Sequence, residues 1–252
     1  MTISPARRAL RRWIPQQHGA WAMLVVPFLA GGLLGGFTAR HALLLPVWLL
    51  AYGTAHHAQQ YVRLRRRSRN PRAPRRHLAP LAGFGAACAA LGAPLAAGRP
   101  WLLAAALCAV PFFAVNMFHA YRNNERSLLN GIAAVIPACG MLLVSERLGS
   151  GVLDFAAWSA AAACLLYFTG TVLYVKTMIR ERASQPYRVA SAVYHGVAVV
   201  AATTLNPWLA PVFTLFFVRA VTLPARGVRV GVVGALEVLC SALLLLSLAA
   251  LP

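Results

Sequence analysis

The sequence predicts an all-α integral membrane protein, a single bundle of about nine transmembrane helices, on three observations. Of 252 residues, 60% are hydrophobic and only 12% charged, with a mean hydropathy of +0.64, whereas soluble domains carry about 25% charged residues. Apolar stretches near the bilayer-spanning length of about 20 residues recur along the whole chain. The cations between them fall almost entirely in alternate connections.

The spans follow in order. A basic arm, residues 1–17, carries Arg7, Arg8, Arg11 and Arg12, and the polytopic domain covers residues 18–252. The first span, 18–36, opens at His18 and runs through Pro27 to Gly36. No small-residue cleavage site follows a short apolar stretch, so this span stays in the protein rather than leaving as a signal peptide. Its Gly31, Gly32, Gly35 and Gly36 form two overlapping GxxxG registers that predict close helix packing, and Gly227 with Gly231 makes a third. The second span, 41–62, ends where Tyr61-Val62-Arg63-Leu64-Arg65-Arg66-Arg67 brings in charge, and the turn Asn70-Pro71-Arg72 follows. The third and fourth, 78–97 and 100–119, share an alanine-rich stretch. The fifth is 128–145 and the sixth 154–176, whose end, Tyr174-Val175-Lys176, echoes Tyr61-Val62-Arg63 four helices later. The seventh, eighth and ninth are 187–205, 207–223 and 230–250.

On one side of this arrangement stand 21 of the 24 lysines and arginines; the other side has only Arg40, Arg99 and Arg147. The positive-inside rule then places the N-terminus in the cytoplasm and the C-terminus outside. A net charge of +19 would suit nucleic acid in a soluble chain, but the spans between the basic clusters exclude that partner. Membrane lipids are the expected surroundings. Cys88, Cys108, Cys139, Cys164 and Cys240 all lie in apolar spans without a CxxC spacing, which reads as packing and gives no metal ligand set.

Polar residues that packing does not require gather in the cytoplasmic half. His18 opens the first span. His56, His57, Gln59 and Gln60 end the second, Asn116 and His119 the fourth, and Arg122, Asn123, Asn124, Glu125, Arg126 and Asn130 surround the start of the fifth. Tyr187 and His195 begin the seventh. Converging from five helices on one level, they predict the lining of an inward-opening cavity. Lys176, Arg180, Glu181 and Arg182 end the sixth, and if that helix continued beyond the membrane, Lys176, Arg180 and a residue near Gln185 would share a face. Glu125 and Glu181, the two carboxylates of this side, are placed to orient guanidinium groups for a bidentate anion. Glu237 is the carboxylate set deep in a span, a functional candidate for that reason, while a protonated, structural carboxyl in an apolar bundle fits the position equally well.

The stretches Gln17-His18-Gly19-Ala20-Trp21-Ala22-Met23-Leu24, Asn123-Asn124-Glu125-Arg126-Ser127-Leu128-Leu129-Asn130 and Tyr174 through Arg182 resemble the signature segments of the YwiC-like family of bacterial membrane proteins, over most of the chain. The nine spans, the inside N-terminus and the long polar loops after the second and sixth spans are also similar to the UbiA-type intramembrane prenyltransferases. That second resemblance implies an isoprenoid diphosphate held by magnesium on Asp-rich motifs. Here the first of those loops has no Asp or Glu, and the second retains only Glu181 followed by Arg182. No magnesium or other cofactor is therefore expected. Lys176, Arg180, Arg182 and the arginines of the loop after the second span are expected to take the place of the metal in binding an amphiphile with a phosphate or diphosphate head, such as an isoprenoid phosphate. Two other classes fit the same residues: a small exporter of an anionic solute, with helices broken at Pro27, Pro111 and Pro137, and a scaffold whose basic face contacts anionic lipid.

Overall fold

A computed structural model describes residues 13–15 and 18–251, with the backbone alone for His18 and Ala225; the basic arm from Arg7 to Arg12 lies outside them. The described residues form α-helices joined by short turns, with no strand among them. They are α1 (His18–Gly35), α2 (His41–Arg67), the four-residue α3 (Arg72–Arg75), α4 (Leu78–Gly98), α5 (Trp101–Tyr121), α6 (Leu128–Ser150), α7 (Phe155–Ile179), α8 (Gln185–Leu205), α9 (Ala210–Thr222) and α10 (Val230–Ala249).

Each expected span coincides with one long helix, and the differences lie at the ends. α2 continues to Arg67 because arginine is a good helix former and a charge ends a membrane span without ending a helix. α7 stops at Ile179, and Gln185 opens α8 after Ser184, so Lys176, Arg180 and Gln185 do not share one helix face. Six segments are long and apolar enough to cross a membrane: Arg72–Gly98, α5, α6, α7, α8 and α10. The remaining three long helices of the expected nine fall short for separate reasons. α1 and α9 are short, while the second half of α2 carries histidines, glutamines and arginines. Pro27, Pro111 and Pro137 lie inside continuous helices, so no break occurs at them.

Local chemistry sets several of the turns. Asp154 caps α7 by accepting from the Ala157 amide at 2.9 Å, and Ser127 caps α6 by accepting from the Asn130 amide at 3.1 Å. α5 ends in a left-handed residue, Asn123 at φ 52°. The amides of Asn123 and Asn124 close back on the carbonyls of Ala120 and His119, the helix stop that asparagine tolerates almost as well as glycine.

The chain divides into two compact units, residues 13–15 with 38–134, and residues 18–37 with 135–251. In the first, α2 packs on α4 and α5, and Gly53 admits the Phe84 ring, since a Cβ there would stand 3.1 Å from it. α5 turns Leu103, Leu107 and Val110 outward, an apolar ridge at helical spacing suited to lipid. In the second unit α7 is the central helix, and Cys139, Cys164 and Cys240 lie in its core with Val135, Leu142, Phe168, Phe213 and Leu244. The expected packing role fits those three; Cys108 is exposed.

The Gly31/Gly35 register behaves as its spacing predicts. A Cβ on Gly31 would stand 2.1 Å from the Leu142 carbonyl oxygen, and one on Gly35 2.4 Å from that of Glu146, so α1 and α6 meet backbone to backbone. Ser145 Oγ adds a bond to the Phe28 carbonyl at 2.8 Å. The third register does not pack. Gly227 occupies a left-handed turn at φ 63°, and a Cβ on Gly231 would meet open space.

Candidate functional site

In the first unit the α5–α6 turn and the end of α2 enclose a cleft of about 690 Å³, lined by Arg63, Leu64, Arg67, Ser68, Asn123, Asn124, Glu125 and Arg126. Its geometry is built outward from Glu125. Arg63, one turn from Gln60, donates from Nη1 to Glu125 Oε2 at 3.0 Å and from Nη2 to Gln60 Oε1 at 2.7 Å, so its guanidinium is held between its own helix and the α5–α6 turn. Asn130 fixes the turn by donating to the Glu125 carbonyl at 2.7 Å, and Asn116 in turn donates to both the carbonyl and the side-chain oxygen of Asn130. His119 Nδ1 meets Ser127 Oγ at 3.1 Å. The polar residues that packing left unexplained thus brace one turn, and that turn presents Arg126 and the two asparagine amides to the cleft.

Other candidates of this unit go elsewhere. Arg122 lies over the Phe118 ring at 5.8 Å, as Arg66 lies over Tyr121 at 4.1 Å. His57 is buried and stacked on Phe84; its Nδ1 meets His77 Nδ1 at 2.9 Å and its Nε2 meets the Trp13 carbonyl at 3.0 Å. It ties the segment before α1 to the end of α2, and His56 packs edge-on against it.

The second unit holds a different centre. Arg219 of α9 is 6% exposed and Glu237 of α10 is 7% exposed, and Arg219 Nη1 donates to Glu237 Oε1. The guanidinium lies over the Tyr174 ring at 4.2 Å. Tyr167 hydroxyl reaches Ser241 Oγ at 3.0 Å and the Glu237 carbonyl at 3.3 Å. Tyr174 is therefore the floor of an ion pair, whereas Tyr61, its counterpart in the echoed block, accepts from Arg65 at 3.1 Å.

The remaining candidates of this unit are near helix ends. Arg182 donates to the Val228 carbonyl at 2.9 Å and to that of Met178, so its guanidinium closes the end of α7. Lys176 lies 5.7 Å from the Tyr187 ring, within electrostatic reach of Arg180 and Glu181. His195 is buried, donates from Nδ1 to the Ser191 carbonyl at 2.7 Å, and turns Nε2 toward α7 at Gly170, where a Cβ would stand 2.9 Å from it. The side chain of His18 lies outside the described residues.

Arg63 and Arg67 belong to the basic loop after the second span, whose arginines are expected from the sequence to hold an anion, whereas Arg219 is legible there only as a topological charge. Arg63 and Arg67 line the cleft, and Arg219 is buried. For Arg219 the signal was its place inside an apolar span one hairpin from Glu237, the arrangement in which intramembrane charges pair. Among the described residues no group of three or more His, Cys, Asp or Glu is placed to hold a metal ion.

Among the described residues, six apolar segments of bilayer length and the outward apolar ridge of α5 make this a polytopic membrane protein. Residues 14–146 match the profile described as YwiC-like protein, and the chain belongs to the YwiC-like family. It is 33% identical over 186 residues to the uncharacterized protein YwiC of Bacillus subtilis, covering 74% of this chain and 75% of that protein. A second relative, an uncharacterized protein of Haemophilus influenzae, is 29% identical over 225 residues, 89% of this chain and 92% of that one. No solved structure matches the chain.

Proposed function

We propose that this chain is a nine-span, UbiA-like inner-membrane protein, N-terminus in the cytoplasm, whose arginine-lined cleft binds the phosphate or diphosphate head of an amphiphile without a metal. The supporting observation is the cleft itself: Arg63, Arg67 and Arg126 with two asparagine side chains, against the single carboxylate Glu125, which is engaged by Arg63. A preorganised cationic cleft with amide donors recognises oxyanions, and a planar fork held on one edge keeps its other donors for a ligand. The apolar ridge of α5 would accommodate the tail of such a molecule. Arg180 and Arg182 with Glu181 form the corresponding cationic group in the second unit, and the engagement of Arg182 with backbone carbonyls shifts the weight of the reading to the α5–α6 cleft.

The test is thermal stabilisation of the purified protein by geranylgeranyl diphosphate and polyprenyl phosphates, with and without EDTA. Arg67→Ala or Arg126→Ala is expected to weaken binding by about 1.5–3 kcal/mol, the scale of a charge-assisted hydrogen bond, while Arg182→Ala leaves it largely unchanged. Stabilisation that vanishes with EDTA would restore a metal-dependent site. No stabilisation by any isoprenoid phosphate would favour the second reading, a small exporter of an anionic solute, for which the buried Arg219–Glu237 pair speaks. Orientation has its own measurement: a cysteine replacing Ser150, at the end of α6, is expected to react with an impermeant reagent in intact cells. Labelling only after permeabilisation would reverse the topology.

A further inference from the structure

The Arg219–Glu237 pair is incompletely satisfied. Arg219 Nε and Nη2, Glu237 Oε2 and the Tyr174 and Thr171 hydroxyls are all buried without a hydrogen bond of good geometry, although Thr171 stands close to Glu237 and Cys240 close to Arg219. Buried polar groups are nearly always paired, and an orphaned cluster marks a strained or ligand-binding place. The orphans here have a pattern. Nε and Nη2 form one edge of the guanidinium, the two-donor fork that matches the two oxygens of a carboxylate, and the opposite edge is the one anchored on Glu237.

Charge on the surrounding elements points the same way. Tyr174 stands five residues before the end of α7, roughly 8 Å at 1.5 Å per residue, and Glu237 seven residues into α10, roughly 10 Å. Those two helix ends and the turn between α9 and α10 carry Lys176, Arg180, Arg182, Arg226 and Arg229, with Glu181 alone opposing them. Such a collar draws anions toward the pair. The titratable and charged groups facing the pair are Tyr167 and Tyr174 of α7, Cys240 of α10 and His195 of α8; none is a second carboxylate.

We propose that the open edge of Arg219, over the Tyr174 ring and beside Glu237, is an intramembrane binding site for a monocarboxylate, and that Glu237 takes up one proton when the carboxylate binds. The proton follows from charge balance. Arg219 and Glu237 together are neutral, and a bound carboxylate would leave one negative charge uncompensated among buried groups, an expensive state. A weak acid avoids it by arriving neutral: the O–H bond of the acid breaks, an O–H bond forms on Glu237 Oε2, and the resulting carboxylate pairs with Arg219. No electrons are exchanged, and Oε1 keeps its bond to Nη1. This site stands whether or not the cleft of the first unit binds a phosphate.

The experiment is isothermal titration of the purified full-length protein with acetate and with octanoate at matched ionic strength, in two buffers of different ionisation enthalpy, at slightly alkaline pH. The two acids distinguish a water-soluble solute from a lipid-borne one. The parent is expected to take up about one proton per anion bound. Glu237→Gln, in which Arg219 is left positive, is expected to bind more tightly with no proton uptake, and acetate raises its melting temperature more than the parent's. Arg219→Lys, which keeps the charge and loses the fork, is expected to bind at least about tenfold more weakly, the scale of one charge-assisted hydrogen bond. Failure of both anions to bind folded parent overturns the proposal, as does undiminished binding by Arg219→Lys. Binding lost in Arg67→Ala and retained in Arg219→Lys assigns the anion to the cleft instead.

Discussion

Glu237→Leu is expected to be among the most destabilising single substitutions in the chain, at about 3–5 kcal/mol, because it leaves a guanidinium buried without its counter-charge. Arg219→Met should cost less. The two halves of the pair are not equivalent: an unpaired carboxylate in apolar surroundings takes a proton and becomes neutral, whereas arginine does not give one up in a protein. The double replacement, Glu237→Leu with Arg219→Met, is expected to recover most of the loss, since two apolar side chains of similar volume pack where the pair stood, over Tyr174 and beside Phe216. Reversible unfolding in mixed micelles measures all three. Equal losses for the two single variants, or a double variant as unstable as their sum, would mean that the pair is solvated and that the burial on which this asymmetry rests is not realised in the membrane.

Gly31→Leu is expected to be comparably damaging for a different reason. The Cβ alone would come within 2.1 Å of a backbone oxygen and 2.9 Å of the Ser145 Cβ. A side chain could yield by changing rotamer; a carbonyl inside a helix yields only if α1 and α6 separate. Separation also breaks the Ser145 bond to Phe28, so the cost is expected to reach or exceed the 1–3 kcal/mol usual for overpacking. Gly231→Leu, at a site of identical sequence spacing, is expected to be nearly neutral because nothing lies within reach of its Cβ. The same unfolding measurement compares them, and equal effects would refute the assignment of only one register to packing.

The contrast between Gly31 and Gly231 also marks where sequence reasoning ends. Hydropathy places the long helices, because a span must hide its own backbone polar groups in lipid, but length and composition mark only six of the nine as able to cross a membrane. The stretch from Asn116 to Asn130 was legible as a site because asparagine, histidine and glutamate at the ends of apolar helices have no packing reason to be there. Its content was legible only in part. Which arginine Glu125 would hold depends on how α2 lies beside the α5–α6 turn, and Arg63 was hidden among neighbouring arginines that a charge count treats alike. Arg219 was lost to the same count: a cation near the end of a span reads as topological unless its tertiary partner is known. The GxxxG spacing says that two glycines share a helix face, but Gly227 lies in the turn before α10 begins at Val230, so the face does not exist.

The contact between α1 and α6 has a consequence for how the protein is made. Ser145 and Phe28 are 117 residues apart, and everything from Thr38 to Ala134 belongs to the other unit. During synthesis α1 emerges first, yet the surface it packs against emerges only after that whole intervening unit. The first helix must therefore wait in the bilayer with its glycine face unoccupied while the first unit is threaded and assembled. A polypeptide released after α5 would contain a nearly complete first unit and one stranded helix, a natural substrate for membrane quality control. Late docking of α1 on α6 thus makes the start of the second unit's assembly a checkpoint on synthesis of the first.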